Sequence, residues 1–307
     1  MIKKNLKLKK IKLTFRKLKL SDYKQFEKLF YLSFKKKISY DFFKWRYFND
    51  ELSFCYAAFD SSNLVANVGI KSLKLNSENK EIIFSRHSSM VLKRYRGLKI
   101  YSQILQKVRK KFFKYAKIIF MWPNKDNFAS FGFRPREIFK KNFYLYRIEG
   151  LKKKTIKTSD ININKIYLLK NFLKNRSSFI FKDLNYFKKR YLDYRKQDYF
   201  INKFDIKKSS SFFILKKNKL KKGFNIVILD HFGSKKIKSK HFSQLINEKE
   251  ELIFWSKKKN YNLNYKLINH INLLICLTKK NSIKNKNQKF LNGEFMLGDT
   301  DSFITLR

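Results

Sequence analysis

The chain has 307 residues, of which 43% are hydrophobic and 17% aromatic. This length and composition exclude a disordered chain and predict a sizeable core, divided between two domains. Its 73 basic and 23 acidic residues give a formal net charge of +50, which favours a polyanionic partner such as nucleic acid. A lysine-rich composition also accompanies a genome low in G and C, so nucleic-acid binding is an alternative here and not the favoured function.

Cysteine and histidine are too few and too scattered for a disulfide framework or a metal site. The chain has two cysteines, Cys55 and Cys276, and four histidines without the spacing of metal ligands. No run of about 18 apolar residues occurs, so no membrane span is predicted. The basic N-terminus lacks the continuous apolar region of a secretory signal, and the predicted location is therefore cytoplasmic.

The first half of the chain alternates between strand-like and helix-like segments. Alternating apolar residues predict a first strand, and helical spacing then predicts two helices, the second with Ser39 as its N-cap. Three strands, a helix that begins near Lys99 and two further strands follow. In chain order the predicted strands are 11–16, 54–60, 64–70, 81–92, 117–122 and 142–148, and the first two helices are 23–34 and 39–50.

The second half resembles a degenerate copy of the first. Residues 43–47, FKWRY, return as FKKRY at 187–191, which favours a duplicated domain. The polar, charged segment 150–165 is the predicted linker between an N-terminal domain, residues 1–150, and a C-terminal domain, residues 165–307. Beyond the linker the pattern predicts strands at 211–217, 225–232 and 271–278 and a helix over 241–259. The fold class is α/β or α+β, with a mixed central sheet in each domain.

The segment 88–108 has the form of a cradle for a phosphate-bearing ligand. An apolar strand end runs into Arg96-Gly97, and an amphipathic helix follows at once. A helix start presents unpaired backbone N–H groups and a positive dipole end, so it binds phosphate without a special side chain. Gly97 lets the backbone turn and approach closely, while Arg94 and Lys99 add positive charge to the rim.

The order of elements together with two motifs resembles the GNAT superfamily of acetyl-CoA-dependent N-acetyltransferases. VLKRYRGLKIY, at 91–101, is similar to the family's strand-to-helix motif, and WPNKDNFASFGF, at 122–133, is similar to its later N-…-G-F segment. WRY at 45–47 and GDTD at 298–301 resemble segments of tandem members from bacterial cell-surface sugar pathways. The resemblance implies two tandem GNAT-like domains, of which the second is degenerate and lacks a comparable cradle.

The resemblance also implies how acetyl-CoA, or another acyl-CoA, would bind as co-substrate without a metal. Main-chain groups of Met90 and Val91 would pair with the pantetheine arm, and Asn124 would face its thioester end. A set of consecutive backbone N–H groups would hold the pyrophosphate: those of Arg96, Gly97, Leu98, Lys99, Ile100 and Tyr101. His87 stands where many members carry a glutamate base, and an imidazole can accept the proton of an attacking amine. A histidine that is hydrogen-bonded within the sheet is the alternative interpretation.

Three positions depart from the family pattern. Lys99 stands at the motif's first helix glycine, and Tyr101 stands at its second small residue. Phe128 occupies the position of the family's frequent tyrosine acid, and its ring has no proton to give. Water or another group must therefore protonate the leaving thiolate, or the domain does not catalyse.

The sequence as a whole predicts an acyl-CoA-dependent N-acyltransferase that transfers an acetyl group to an amine. The expected acceptor is a small molecule, such as a nucleotide-linked amino sugar or another cell-envelope precursor. Two alternatives are kept: a catalytically inactive GNAT-like binding protein, and a protein that binds nucleic acid or another polyanion through its charge.

Overall fold

The computed structural model describes about two thirds of the chain. The described residues are 12–50, 52–75, 80–112, 115–116, 118–122, 138–149, 158–172, 180–193, 199–206, 209–219, 224–233, 239–246, 250–256 and 266–277. Over these residues, none of the helices combines the length and apolar character that a bilayer crossing requires.

Within the described residues, twelve strands form one continuous mixed sheet, and its order is β1-β2-β3-β4-β5-β12-β6-β11-β10-β9-β8-β7. The strands of the first half are β1 Leu13–Lys17, β2 Phe54–Asp60, β3 Asn63–Lys74, β4 Ile82–Val91, β5 Ile118–Met121 and β6 Ile138–Glu149. Those of the second half are β7 Thr158–Asn162, β8 Tyr199–Ile206, β9 Ser209–Lys219, β10 Phe224–Gly233, β11 Glu250–Ser256 and β12 Lys266–Leu277.

The sheet is symmetric about its centre. If each strand of the first half is matched to the strand six places later, the strand order reads the same from both edges. The direction of pairing is preserved as well: β4 is parallel to β5 as β10 is to β11, and the other matched pairs are antiparallel. At the centre, β12 lies between β5 and β6, so the two halves exchange strands. The predicted tandem architecture is thereby confirmed.

Four α-helices flank the sheet in the described part of the chain: α1 Tyr23–Phe34, α2 Tyr40–Phe48, α3 Ile100–Phe112 and α4 Leu184–Phe187. The first helix has the predicted bounds, and the hydroxyl of Ser39 accepts the N–H of Phe42 at 3.2 Å as the N-cap of the second. Helices α1 and α2 pack on one face of the sheet, against Cys55, Ala57 and Phe59. Helix α3 packs on the other face, against Tyr56 and Ala58. Both faces of β2 are therefore buried.

Contacts between the two copies of the repeat join equivalent positions. The indole Nε1 of Trp45 donates to the carbonyl of Lys189 at 2.8 Å, and these residues are 144 positions apart. The amide of Asn49 donates to the carboxylate of Asp193 at 3.3 Å across the same interval. Lys189 also forms an ion pair with Asp50 at 2.6 Å. The repeat FKWRY/FKKRY thus marks the place where the two halves meet.

Two predicted segments differ from the structure. The helix predicted over 241–259 is wrong, because residues 250–256 form β11 and only Ser239–Leu245 forms a 3-10 helix. Leu252, Ile253 and Phe254 are buried in succession, and a strand that is buried on both faces loses the alternation that separates it from a helix. The predicted linker, 150–165, includes β7. The domain bounds 1–150 and 165–307 stay a prediction.

Candidate functional site

Among the residues that the structure describes, the sheet opens between β4 and β5. The two parallel strands pair from Ile83 and Ile118 as far as Arg86 and Met121. Strand β4 then continues to Val91, and its edge beyond Arg86 has no partner among the described residues of β5. An extended ligand can therefore pair with the backbone of β4 in this opening.

A β-bulge at Ser88 re-aims the side chains of β4 inside the opening. Met90 pairs with Asn67 and His87 pairs with Gly69, so two residues of β4 stand opposite one of β3. Ser88 itself has a φ of 45°. Two side chains stabilise the bulge through hydrogen bonds to Ser88. The amide of Asn67 donates to the Ser88 carbonyl at 3.2 Å, and the hydroxyl of Tyr47 donates to Ser88 Oγ at 2.8 Å.

The turn between β4 and α3 contains two residues with left-handed backbone, Gly97 at φ 87° and Lys99 at φ 55°. A Cβ added to Gly97 would meet no atom within 4 Å, so this position opens onto free space. Lys99 caps the helix, because its carbonyl accepts the N–H of Gln103 at 3.1 Å. A side chain in this conformation costs about 1–2 kcal/mol relative to glycine. The chain therefore carries a strained lysine where the motif that this segment resembles has glycine.

The end of β4, this turn and the start of α3 enclose one cleft of about 600 Å³. It is lined by the predicted residues Met90, Val91, Arg96, Gly97, Lys99, Ile100 and Tyr101, together with Ser33, Phe34, Ser89, Tyr95 and Ser102. The first N–H groups of α3, a helix of 13 residues, border this cleft. Their partial positive charge, together with Arg96 and Lys99, makes the cleft suitable for an anionic ligand.

A buried tyrosine anchors the turn to the sheet. Tyr95, only 5% exposed, donates its phenol proton to Asp60 at 2.6 Å. Arg94 in turn donates to the phenol oxygen at 3.2 Å. The hydrogen bond to Asp60, with burial, raises the pKa of Tyr95 above its usual value. The phenol consequently stays protonated and holds the turn in place near neutral pH.

Tyr101 crosses the cleft from α3 to β4. Its hydroxyl accepts a hydrogen bond from the guanidinium of Arg86, which is 8% exposed, and lies 3.4 Å from Ser89 Oγ. Because arginine is only a donor, the phenol oxygen acts as acceptor and its own proton remains available for Ser89 or for a ligand. Sequence reasoning missed Arg86, although a charged residue within an apolar strand was a visible signal.

His87 lies on the other face of β4 from Arg86 and Tyr101. Its ring stacks on Tyr47 with centroids 5.3 Å apart, and its Nδ1 lies 3.3 Å from Ser88 Oγ. A Cβ on Gly69 would come within 2.5 Å of the imidazole, so the ring packs directly against the β3 backbone. His87 and Leu98 are not among the residues that line the cleft. Asn124 and Phe128 lie outside the described residues.

Comparison with solved structures shows a likeness over most of the chain. A GCN5-related N-acetyltransferase from Anabaena variabilis superposes with a TM-score of 0.63 at 7% sequence identity. The superposition covers 87% of this chain and 73% of the Anabaena chain. A GCN5-related N-acetyltransferase from Kribbella flavida gives a TM-score of 0.58 at 9% sequence identity, over 87% of this chain and 71% of the Kribbella chain. Saccharomyces cerevisiae N-myristoyltransferase with bound myristoyl-CoA gives a TM-score of 0.57 at 11% sequence identity, over 90% of this chain and 81% of the yeast chain.

The likeness lies in the fold and not in the sequence. No protein-family model and no curated protein matches the sequence. At identities of 7 to 11%, the superpositions still extend over both halves of the chain. The protein therefore has the fold of the GNAT N-acetyltransferases in its tandem, two-domain form.

Proposed function

We propose that this protein is an N-acyltransferase that takes an acyl group, in the first instance acetyl, from coenzyme A and transfers it to an amine. The observation that carries the proposal is the single cleft in which the open edge of β4, the Gly97–Lys99 turn and the start of α3 converge. The tandem GNAT fold and the myristoyl-CoA bound by the yeast neighbour support the same co-substrate.

In the proposed complex the coenzyme lies along the opening. The pyrophosphate rests on backbone N–H groups between Arg96 and Tyr101, with the charge of Lys99 beside it. The pantetheine arm extends β4 through main-chain groups of Met90 and Val91 and brings the thioester towards the closed end of the opening at Arg86. Asn124 is assigned to the thioester end by its place in the motif.

The reaction requires one base and one acid, and the two faces of β4 offer one each. The amine nitrogen attacks the thioester carbonyl carbon, the C–S bond breaks and its electron pair stays on sulfur. His87, on the face of α1 and α2, would take the proton from the amine. Tyr101, on the face of α3, would give a proton to the thiolate in place of the tyrosine that Phe128 replaces. His87 then releases its proton to solvent and Tyr101 takes one up from solvent, so both groups return to their starting states and no net proton is gained or lost.

The acceptor we favour is a small amine such as a nucleotide-linked amino sugar, and the proposed location of the reaction is the cytoplasm.

A catalytically inactive binding protein is the second candidate function. One observation favours it: the ring of Tyr101 forms a wall of the cleft where the family motif has a small residue. Release of free thiol from acetyl-CoA in the presence of amines distinguishes the two, because a binding protein releases none.

Replacing Gly97 with tryptophan is expected to weaken binding of coenzyme A at least about tenfold, because the indole would enter the open space of the cleft. Isothermal titration measures the affinity. Gly97→Ala is the matched control, since it carries the same backbone strain at φ 87° without the ring, and a Cβ there meets no atom. If wild-type protein binds neither coenzyme A nor acetyl-CoA, the proposal is wrong.

Replacing Tyr101 with phenylalanine is expected to slow acyl transfer about tenfold while the affinity for coenzyme A changes by less than about threefold. The variant removes the proton donor and keeps the ring. Single-turnover kinetics separate the two quantities, and a poorer leaving thiol should be affected more than a better one. An unchanged transfer rate would show that water, and not Tyr101, protonates the thiolate.

A further inference from the structure

A second concavity borders the cleft on the side of α1. It is a groove of about 820 Å³ between α1 and the segment that joins β4 to α3. Ser33, Val91 and Arg96 line both the cleft and this groove, so the two spaces are continuous at the turn. Its volume is within the range of pockets that hold small organic ligands.

The groove is lined by cations from two directions. Helix α1 and its C-cap supply Lys24, Lys28 and Lys35, and the turn supplies Lys93, Arg94 and Arg96. Lys24 has a carboxylate nearby, that of Glu27 at 3.6 Å, but the groove lining itself contains no aspartate or glutamate. Between the two cationic rims lies an apolar floor that includes Leu29, Leu64 and Leu92. A ligand with an anionic group and an apolar ring would match both parts.

Backbone conformation singles out one of these lysines. Lys35 ends α1 with a φ of 56°, the left-handed conformation that glycine or asparagine adopts more easily. Lys99, on the rim of the neighbouring cleft, has the same strained conformation. A third lysine with this conformation, Lys80 at φ 44°, lines neither the cleft nor the groove, so the backbone alone does not mark a site. Lys35 matters here because it combines a left-handed backbone with a position on the lining of the groove.

The arrangement favours phosphate over other anions. A phosphate ester carries up to two charges and several acceptor oxygens, so it can be shared by cations that converge from both rims. Arginine, which recognises phosphate through two N–H groups at once, is present at two neighbouring lining positions, Arg94 and Arg96. The groove adjoins the turn where the pyrophosphate of the proposed co-substrate would lie.

We propose that this groove binds a phosphate ester, in addition to the pyrophosphate held at the start of α3. The inference rests on the proposed function for the identity of its ligand. Two substrates of that reaction can supply the group: the 3′-phosphate of coenzyme A, or a phosphate of a nucleotide-linked acceptor. The apolar floor would then contact the base or sugar next to the phosphate.

A double substitution, Lys28→Gln with Lys35→Asn, tests the groove. Both side chains are exposed, and asparagine suits the backbone at position 35, so the variant should fold at least as well as the wild type. The matched control is Lys44→Gln with Lys110→Gln, which removes the same charge from exposed positions that line neither the cleft nor the groove. Coenzyme A, 3′-dephospho-coenzyme A and uridine diphosphate are each titrated at about 0.15 M salt, where surface charges are screened.

We expect the groove variant, Lys28→Gln with Lys35→Asn, to bind one of the phosphate ligands about fivefold or more weakly than the wild type does. The control, Lys44→Gln with Lys110→Gln, should bind that ligand with the wild-type affinity. A loss for coenzyme A but not for its 3′-dephospho form assigns the groove to the coenzyme. A loss for uridine diphosphate with both coenzymes unaffected assigns it to the acceptor. Equal affinities in the groove variant and the wild type, or an equal loss in the control, would overturn the proposal.

The same titrations separate this inference from the proposed function. If the wild type binds neither coenzyme but binds uridine diphosphate in a manner that depends on Lys28 and Lys35, the acyltransferase proposal fails and the phosphate groove stands. If the wild type binds none of the three probes, both proposals fail.

Discussion

Replacing Asp230 with asparagine is expected to lower the free energy of unfolding by about 3–5 kcal/mol. The carboxylate of Asp230 lies 2.6 Å from the ammonium of Lys182, and both side chains are fully buried. Its other oxygen accepts the phenol proton of Tyr191 at 2.6 Å, and burial raises the pKa of that phenol well above its usual value. Asparagine preserves the volume but removes the negative charge that compensates Lys182. Urea denaturation, followed by circular dichroism, measures the change.

The matching control removes both charges at once. Asp230→Leu combined with Lys182→Met, in a Tyr191→Phe background that removes the phenol otherwise left without its acceptor, is expected to recover most of the stability, because apolar residues of similar size avoid the cost of burying ions. A double-mutant cycle over the two positions then gives the coupling between them. If Asp230→Asn unfolds at the same urea concentration as the wild type, the pair is not buried as described.

Replacing His87 with glutamine is expected to lower kcat by a factor on the order of 10²–10⁴, the usual contribution of a general base. Glutamine can keep a hydrogen bond near Ser88 but cannot take a proton from the amine. The pH profile of acyl transfer should lose its acidic limb in the variant. A profile and kcat like those of the wild type would instead support the interpretation of His87 as a residue that only packs within the sheet.

Gly69→Ala tests the same role without altering the imidazole. The new methyl group would lie 2.5 Å from Cε1 of His87, so the ring must move off its stack with Tyr47. If His87 is the base, kcat falls in this variant too, while coenzyme binding on the other face of β4 is preserved. Overpacking of this kind also costs about 1–3 kcal/mol of stability, so activity is compared at a temperature where both proteins are folded.

The sequence predicts best those elements whose signals are local. Helix α1 and strand β2 have the predicted bounds, 23–34 and 54–60. Helical spacing, short polar turns and apolar runs are patterns of residues that are close in sequence, so they can be recognised without the tertiary structure. Strand β11 was missed, since its buried run has no alternation. The exchange of β6 and β12 could not be predicted, because the pairing of residues more than a hundred positions apart leaves no local pattern.

In the candidate site, too, the features that depend on adjacent residues were predicted and those that depend on long-range pairing were not. The motif placed seven predicted residues on one cleft, since a strand end, a glycine and a helix start are adjacent in the chain. Arg86, Asn67 and the bulge at Ser88 were missed because their importance depends on register between strands. The cationic groove combines α1 with a turn about sixty residues later, and only the tertiary structure brings them together.

The exchanged strands have a consequence for how the chain is made. Strand β12 fills the place between β5 and β6, so the sheet of the first half stays interrupted until residue 277 has left the ribosome. Until then β5 and β6 each present an open edge, the surface on which unwanted strand pairing begins. Lys140 and Lys141 of β6, together with the basic residues on either side of it in the sequence, would help such an intermediate to remain dispersed, because like charges repel neighbouring nascent chains. Part of the positive charge of this protein then acts during synthesis, before any ligand is bound.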